Sequence, residues 1–132
     1  MESICKKHNY SYNFLYNKRF SDIDNYSKNL LNTKIWIDTQ TDGGHISARF
    51  WELPLHKCVI LTIENDIYKN ILTDGINSII IKKDFSNLEE QMTYYMNNPY
   101  KLNEIVENAF KEFNDKHTIK TRLEYILKKI KK

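Results

Sequence analysis

Three short apolar runs constrain this chain more than any other feature. They are Ile35-Trp36-Ile37, Val59 to Thr62 and Ile79-Ile80-Ile81. Each is continuous rather than alternating, the pattern of strands buried on both faces. Apolar residues between and beyond them recur at helical spacing. Ile23, Tyr26, Leu30 and Leu31 form one such stripe, with a weak helix start at Ser21 to Asp24. Ile46, Phe50 and Leu53 mark a short helix over about 46–53, which Pro54 ends or kinks. Asp66 to Leu72 reads as a further short helix, and Asp74-Gly75 as a turn.

Three helices close the chain. Ser86-Asn87-Leu88-Glu89 has the form of a capping box, followed by Met92, Tyr95 and Met96. Asn98-Pro99 places proline in the first turn of the next helix, whose stripe is Leu102, Ile105, Val106, Ala109, Phe110 and Phe113. The last stripe is Ile119, Leu123, Ile126, Leu127 and Ile130. Near the N-terminus, Tyr10, Tyr12, Phe14 and Tyr16 alternate with smaller or polar residues, predicting a half-exposed strand. Strands alternating with helices predict an α/β fold with a parallel sheet of about four strands. At 132 residues the chain suits a single domain, spanning 1–132, with one modest core.

Charge and cysteine content narrow the function. Net charge is +3, yet the final KKIKK carries four lysines, so the body without it is −1. That excludes a broad basic face, and with it a nucleic-acid partner for the fold. The tail reads as a solvated helix end that suits the C-terminal dipole, with acidic lipid or nucleic acid as the other readings. Cys5 and Cys58 form no Cys-x-x-Cys motif and no disulfide framework. The N-terminal MESICKKHNYSYN lacks the apolar core of a signal peptide, and no run reaches the length of a membrane span. The expected location is therefore cytoplasmic. No metal-ligand spacing, P-loop or nucleophile elbow occurs, so no metal and no cofactor is expected, and no catalytic residue can be named.

The chain holds three glycines in all, and two of them, Gly43 and Gly44, stand together after the strand at 35–38. In parallel sheets ligands sit beyond the carboxyl ends of strands. A Cβ-free loop entering a helix offers free N–H groups to a phosphate. Arg49, one turn into that helix, adds a charged fork, and Glu52 can accept hydrogen bonds from a pair of sugar hydroxyls. His45 beside the glycines is either a phosphate contact or a surface residue. Read plainly, Gly-Gly is a common turn, and Arg49 with Glu52 is an i, i+3 ion pair.

From about Tyr26 onward the chain resembles the C-terminal, donor-binding domain of GT-B fold group-1 glycosyltransferases, in the branch that resembles spore-maturation glycosyltransferases. The pieces that carry this are Tyr26 with Leu30 to Ile37, Arg49-Phe50-Trp51-Glu52, and Glu52 to Leu61. They continue with Asp74-Gly75-Ile76-Asn77, Leu88 to Tyr100, and His117-Thr118 with Arg122 and Ile126-Leu127. The resemblance implies a Rossmann-like partial sheet and a nucleotide-diphosphate sugar as ligand. It puts Glu52 on the nucleotide ribose, Arg49 on phosphate, and Gly43, Gly44 and His45 in the loop facing the diphosphate. Departures accompany it. Gly44 stands where many such enzymes carry a second glutamate near the donor sugar, and Lys57 replaces a glycine at a helix end. The acceptor domain and the first two strand–helix units of the donor domain are not represented. The resemblance therefore implies a glycosyltransferase-like donor domain, incomplete or inactive alone. A second chain would supply the acceptor domain, or a homodimer would form through the open sheet edge. A non-catalytic remnant acting as a binding module, and an unrelated α/β phosphate binder, are the alternative readings.

Overall fold

The computed structural model describes residues 1–13, 23–38 and 45–130. Its centre is a parallel sheet of β1 (Ile35–Ile37), β2 (Val59–Ile63) and β3 (Ile79–Ile81), in the order β1-β2-β3. Ile35 pairs with Val59 and Leu61 with Ile79, so β2 is the central strand. Its first four residues are all buried, which explains the unbroken apolar run in the sequence.

Helices cover both faces, as the sequence predicts. They are α1 (Glu2–Lys7), α2 (Ile23–Leu31), α3 (Ala48–Glu52), α4 (Leu88–Asn97), α5 (Pro99–Lys116) and α6 (Ile119–Ile130). Val59, Leu61, Ile79 and Ile81 point to one face, where they pack with Cys5 of α1, Leu88, Met92 and Tyr95 of α4, and Leu102 and Ile105 of α5. Trp36 and Ile60 point to the other and meet Leu30 of α2, Phe50 of α3, Leu53, Tyr68, Leu72 and Phe113. Alternate residues along each strand thus feed two separate cores. The 18-residue α5 serves both, with Leu102 and Ile105 in one and Phe113 in the other.

Several expectations are adjusted. Three strands, not four, occur among the described residues. Tyr10 to Asn13 form no strand, and Phe14 and Tyr16 lie outside the described residues. Tyr10 instead packs against the α1 core, its backbone N–H donating to the Cys5 carbonyl at 2.9 Å. The helix expected over 66–72 is a run of turns. Asn65 Oδ1 accepts from the Ile67 N–H at 2.9 Å, and buried Tyr68 and Leu72 anchor the segment in the core. The capping box at Ser86 does not form. Asp84 Oδ1 takes the Ser86 N–H at 3.0 Å and Asn87 Oδ1 takes the Lys82 N–H at 2.9 Å, so the local polar groups close the turn after β3 instead. The helix expected over 46–53 is shorter, Ala48–Glu52, and a 3₁₀ turn over Pro54–His56 follows it. Proline fits the start of that turn because its missing N–H is not needed there. The chain then leaves through Lys57 at φ 57°, a left-handed conformation that glycine adopts more readily.

Candidate functional site

The carboxyl end of β1 gathers most of the polar groups that chemistry could use. Asp38 extends the ladder by one residue, its N–H donating to the Leu61 carbonyl at 3.0 Å. Only 5% of the residue is exposed, on the sheet face of Trp36. Burial pushes its carboxyl above the usual range, opposed by a hydrogen bond from Ser47 and by the charge of Arg49. Ser47 Oγ donates to the two carboxylate oxygens at 3.2 and 3.4 Å. The same Oγ accepts from the Phe50 N–H at 3.2 Å, which makes Ser47 the N-cap of α3. One serine thus fixes both the start of α3 and its distance from β1.

The aromatic face of α3 aims the rest. Phe50 is fully buried and stacks on Tyr68 at 4.9 Å. With that side committed to the core, Arg49 and Glu52 turn toward β1 and α2. The Arg49 guanidinium lies over the Trp36 ring, 5.3 Å from its centroid. Tyr26 of α2 donates its hydroxyl to Glu52 Oε2. Its own ionisation is pushed up to about 12, mainly by burial and then by the Glu52 hydrogen bond and charge, with Arg49 opposing. No ion pair joins Arg49 to Glu52. Tyr26 stands between them instead, in contact with the carboxylate and within the field of the guanidinium.

Of the residues singled out from sequence, Arg49 and Glu52 therefore come together, both half-buried. His45 is exposed, and Gly43 and Gly44 lie outside the described residues. His56 closes the 3₁₀ turn after α3, its Nδ1 donating to the Glu52 carbonyl at 2.9 Å. Sequence reading missed Asp38 and Ser47 as site residues. A lone aspartate closing an apolar triplet was the available signal, and the serine stands directly before the helix it caps.

A second cluster borders α3. Arg122 stacks over Trp51 at 4.2 Å, and His117 lies 5.3 Å from the same ring. Burial lowers the His117 basicity and Arg122 lowers it further. The Arg122 contact docks the first turn of α6 against Trp51 of α3. Among the described residues no group of histidine, cysteine, aspartate or glutamate side chains has the arrangement of a metal site.

The model of the glycosyl transferase-like family matches residues 5–128. The chain belongs to this family. The match begins well before Tyr26 and takes in the last three residues of α1 as well as the sheet and the site at the end of β1. None of the curated proteins matches the chain. No helix among the described residues is long and apolar enough to cross a membrane. The glycosyl transferase-like family in general implies nucleotide-sugar donors.

Proposed function

We propose that this glycosyl transferase-like chain binds a nucleotide-diphosphate sugar at the carboxyl end of β1, as the donor half of a GT-B enzyme. The supporting observation is the joint placement of Arg49 and Glu52 around Tyr26, beside the buried Asp38. Glu52 Oε2 is taken by Tyr26, and Oε1 bonds to no described residue. A fixed carboxylate with an open oxygen suits the paired hydroxyls of a ribose. Arg49 supplies charge for the diphosphate, with Gly43, Gly44 and His45 in the loop that approaches it. Two buried free thiols fit a reducing, cytoplasmic setting.

Transfer also needs an acceptor held opposite the donor. We assign that role to a second folded unit meeting the sheet at β1, one of the two outer strands of the described order. No catalytic residue is assigned, and neither metal nor cofactor enters the scheme.

The test is thermal unfolding of the whole chain with UDP, GDP, TDP and the sugars of UDP and GDP. At ~100 times its dissociation constant a ligand adds about 2.7 kcal/mol, a rise of several degrees for a domain this size. One nucleotide is expected to produce it. Glu52→Gln keeps an oxygen for Tyr26 but removes the charge. It should weaken that nucleotide by about tenfold or more while the ligand-free midpoint stays within a few degrees. No rise with any nucleotide, or equal affinity in Glu52→Gln, would overturn the assignment.

A further inference from the structure

The apolar stripe of α6 has no cover. None of the helix's residues is buried. Ile119, Leu123, Ile126, Leu127 and Ile130 range from 49% exposed at Ile126 to 79% at Ile119. At helical spacing they fall within an arc of about 100° on one side. Lys120 borders that arc on one edge, and Arg122 and Lys129 lie toward the other. Arg122 is engaged over Trp51, which ties the first turn of the helix to the body and leaves the stripe open.

Charge is segregated in the same way. Residues 119–132 carry six lysines and arginines against one glutamate, +5 in all, while the whole chain is +3. The remaining residues, 1–118, therefore carry −2. The excess positive charge of the sequence sits entirely on this one short segment, which also carries the exposed apolar stripe.

We propose that α6 is an in-plane anchor for an anionic lipid surface. Isoleucine and leucine would enter the boundary of the acyl chains, and the bordering lysines would extend their stems along the stripe to reach the headgroups. The negative body would be repelled by the same surface, which orients the chain with α6 against it. A second copy fits less well, because pairing two stripes brings +5 against +5. A protein groove also fits less well: the stripe has no aromatic anchor, and lysine is the residue interfaces tend to exclude.

The experiment is flotation of the full chain with vesicles of phosphatidylcholine alone, or with about one third phosphatidylglycerol. The chain should float with the anionic vesicles and not with the neutral ones. Raising salt from about 0.1 M to about 0.5 M should cut binding about tenfold, as screening shortens the reach of the lysines. The double variant Leu123→Gln, Leu127→Gln should cut it by about tenfold as well. Its circular dichroism and melting midpoint should be unchanged, because both side chains are exposed. Failure to float with anionic vesicles would overturn the proposal, as would flotation undiminished in the double variant. So would a vesicle-free dimer that the double variant dissociates, which would assign the stripe to a second copy.

Discussion

Tyr26 and Glu52 are 26 positions apart, and one hydrogen bond makes them a unit. The folded phenol holds its proton to about pH 12, against 10.0 for a free tyrosine. Between those values the folded state binds more protons than the unfolded chain, so stability falls as pH rises. The contribution of this hydroxyl is whole below pH 10 and is lost as pH climbs toward 12. Tyr26→Phe should cost about 1 kcal/mol near neutral pH, since the pair is only partly buried. It should also flatten the alkaline decline, read from urea midpoints at about pH 9, 10 and 11. Parallel profiles for the two proteins would mean that the hydroxyl is not paired in solution. This coupling was partly legible in the sequence. Residue type and position drew attention to Arg49 and Glu52, but no local pattern ties either to a tyrosine in a different helix. Asp38 and Ser47 were hidden for the same reason, nine positions apart in the chain.

At the scale of elements, short motifs with a strict backbone requirement were the readable ones. Asp74-Gly75-Ile76-Asn77 is an example. Gly75 has φ +69°, and its N–H donates to the Ser78 carbonyl at 2.9 Å. Asp74 Oδ1 accepts from the Ile80 N–H at 2.8 Å. Buried Asn77 donates to the Ile71 carbonyl and to Glu112, and accepts from the Thr73 N–H. A glycine at positive φ and three bonds to one asparagine side chain set the entry into β3. Gly75→Ala should cost about 1–2 kcal/mol from backbone strain alone. The nearest group to the added Cβ is the Tyr95 hydroxyl at 3.5 Å, an ordinary contact. A denaturant midpoint equal to that of the parent would refute this. Helix boundaries were less readable. Ser86 resembled a cap, but the turn after β3 drew on its neighbours' side chains first. The alternation from Tyr10 to Tyr16 resembled a strand, yet Tyr10 is held by packing on α1. Periodicity reports which side of a segment is apolar, and tertiary packing decides what that side meets.

Across the whole molecule, the parallel sheet was readable because two-sided burial leaves so plain a mark on β1, β2 and β3. The partition of its strands into two cores was not, since that depends on where α5 crosses from one face to the other. Cys58 lies where one of these cores meets the head of the central strand, 1% exposed. Burial pushes its thiol up to about 12, with a backbone hydrogen bond at Trp36 opposing. A thiol in that state is shielded twice, by lack of access and by lack of thiolate. It becomes reactive only when β2 comes away from its neighbours. Cys58 alkylation in a Cys5→Ser background should therefore follow the global unfolding free energy, slowing with any ligand that tightens the fold and quickening with any lesion that loosens it. Labelling much faster than global unfolding would reveal a local opening at the head of β2. The head of the central strand thus carries a native timepiece for the opening of the molecule, read as the mass that an alkylating reagent adds at one thiol.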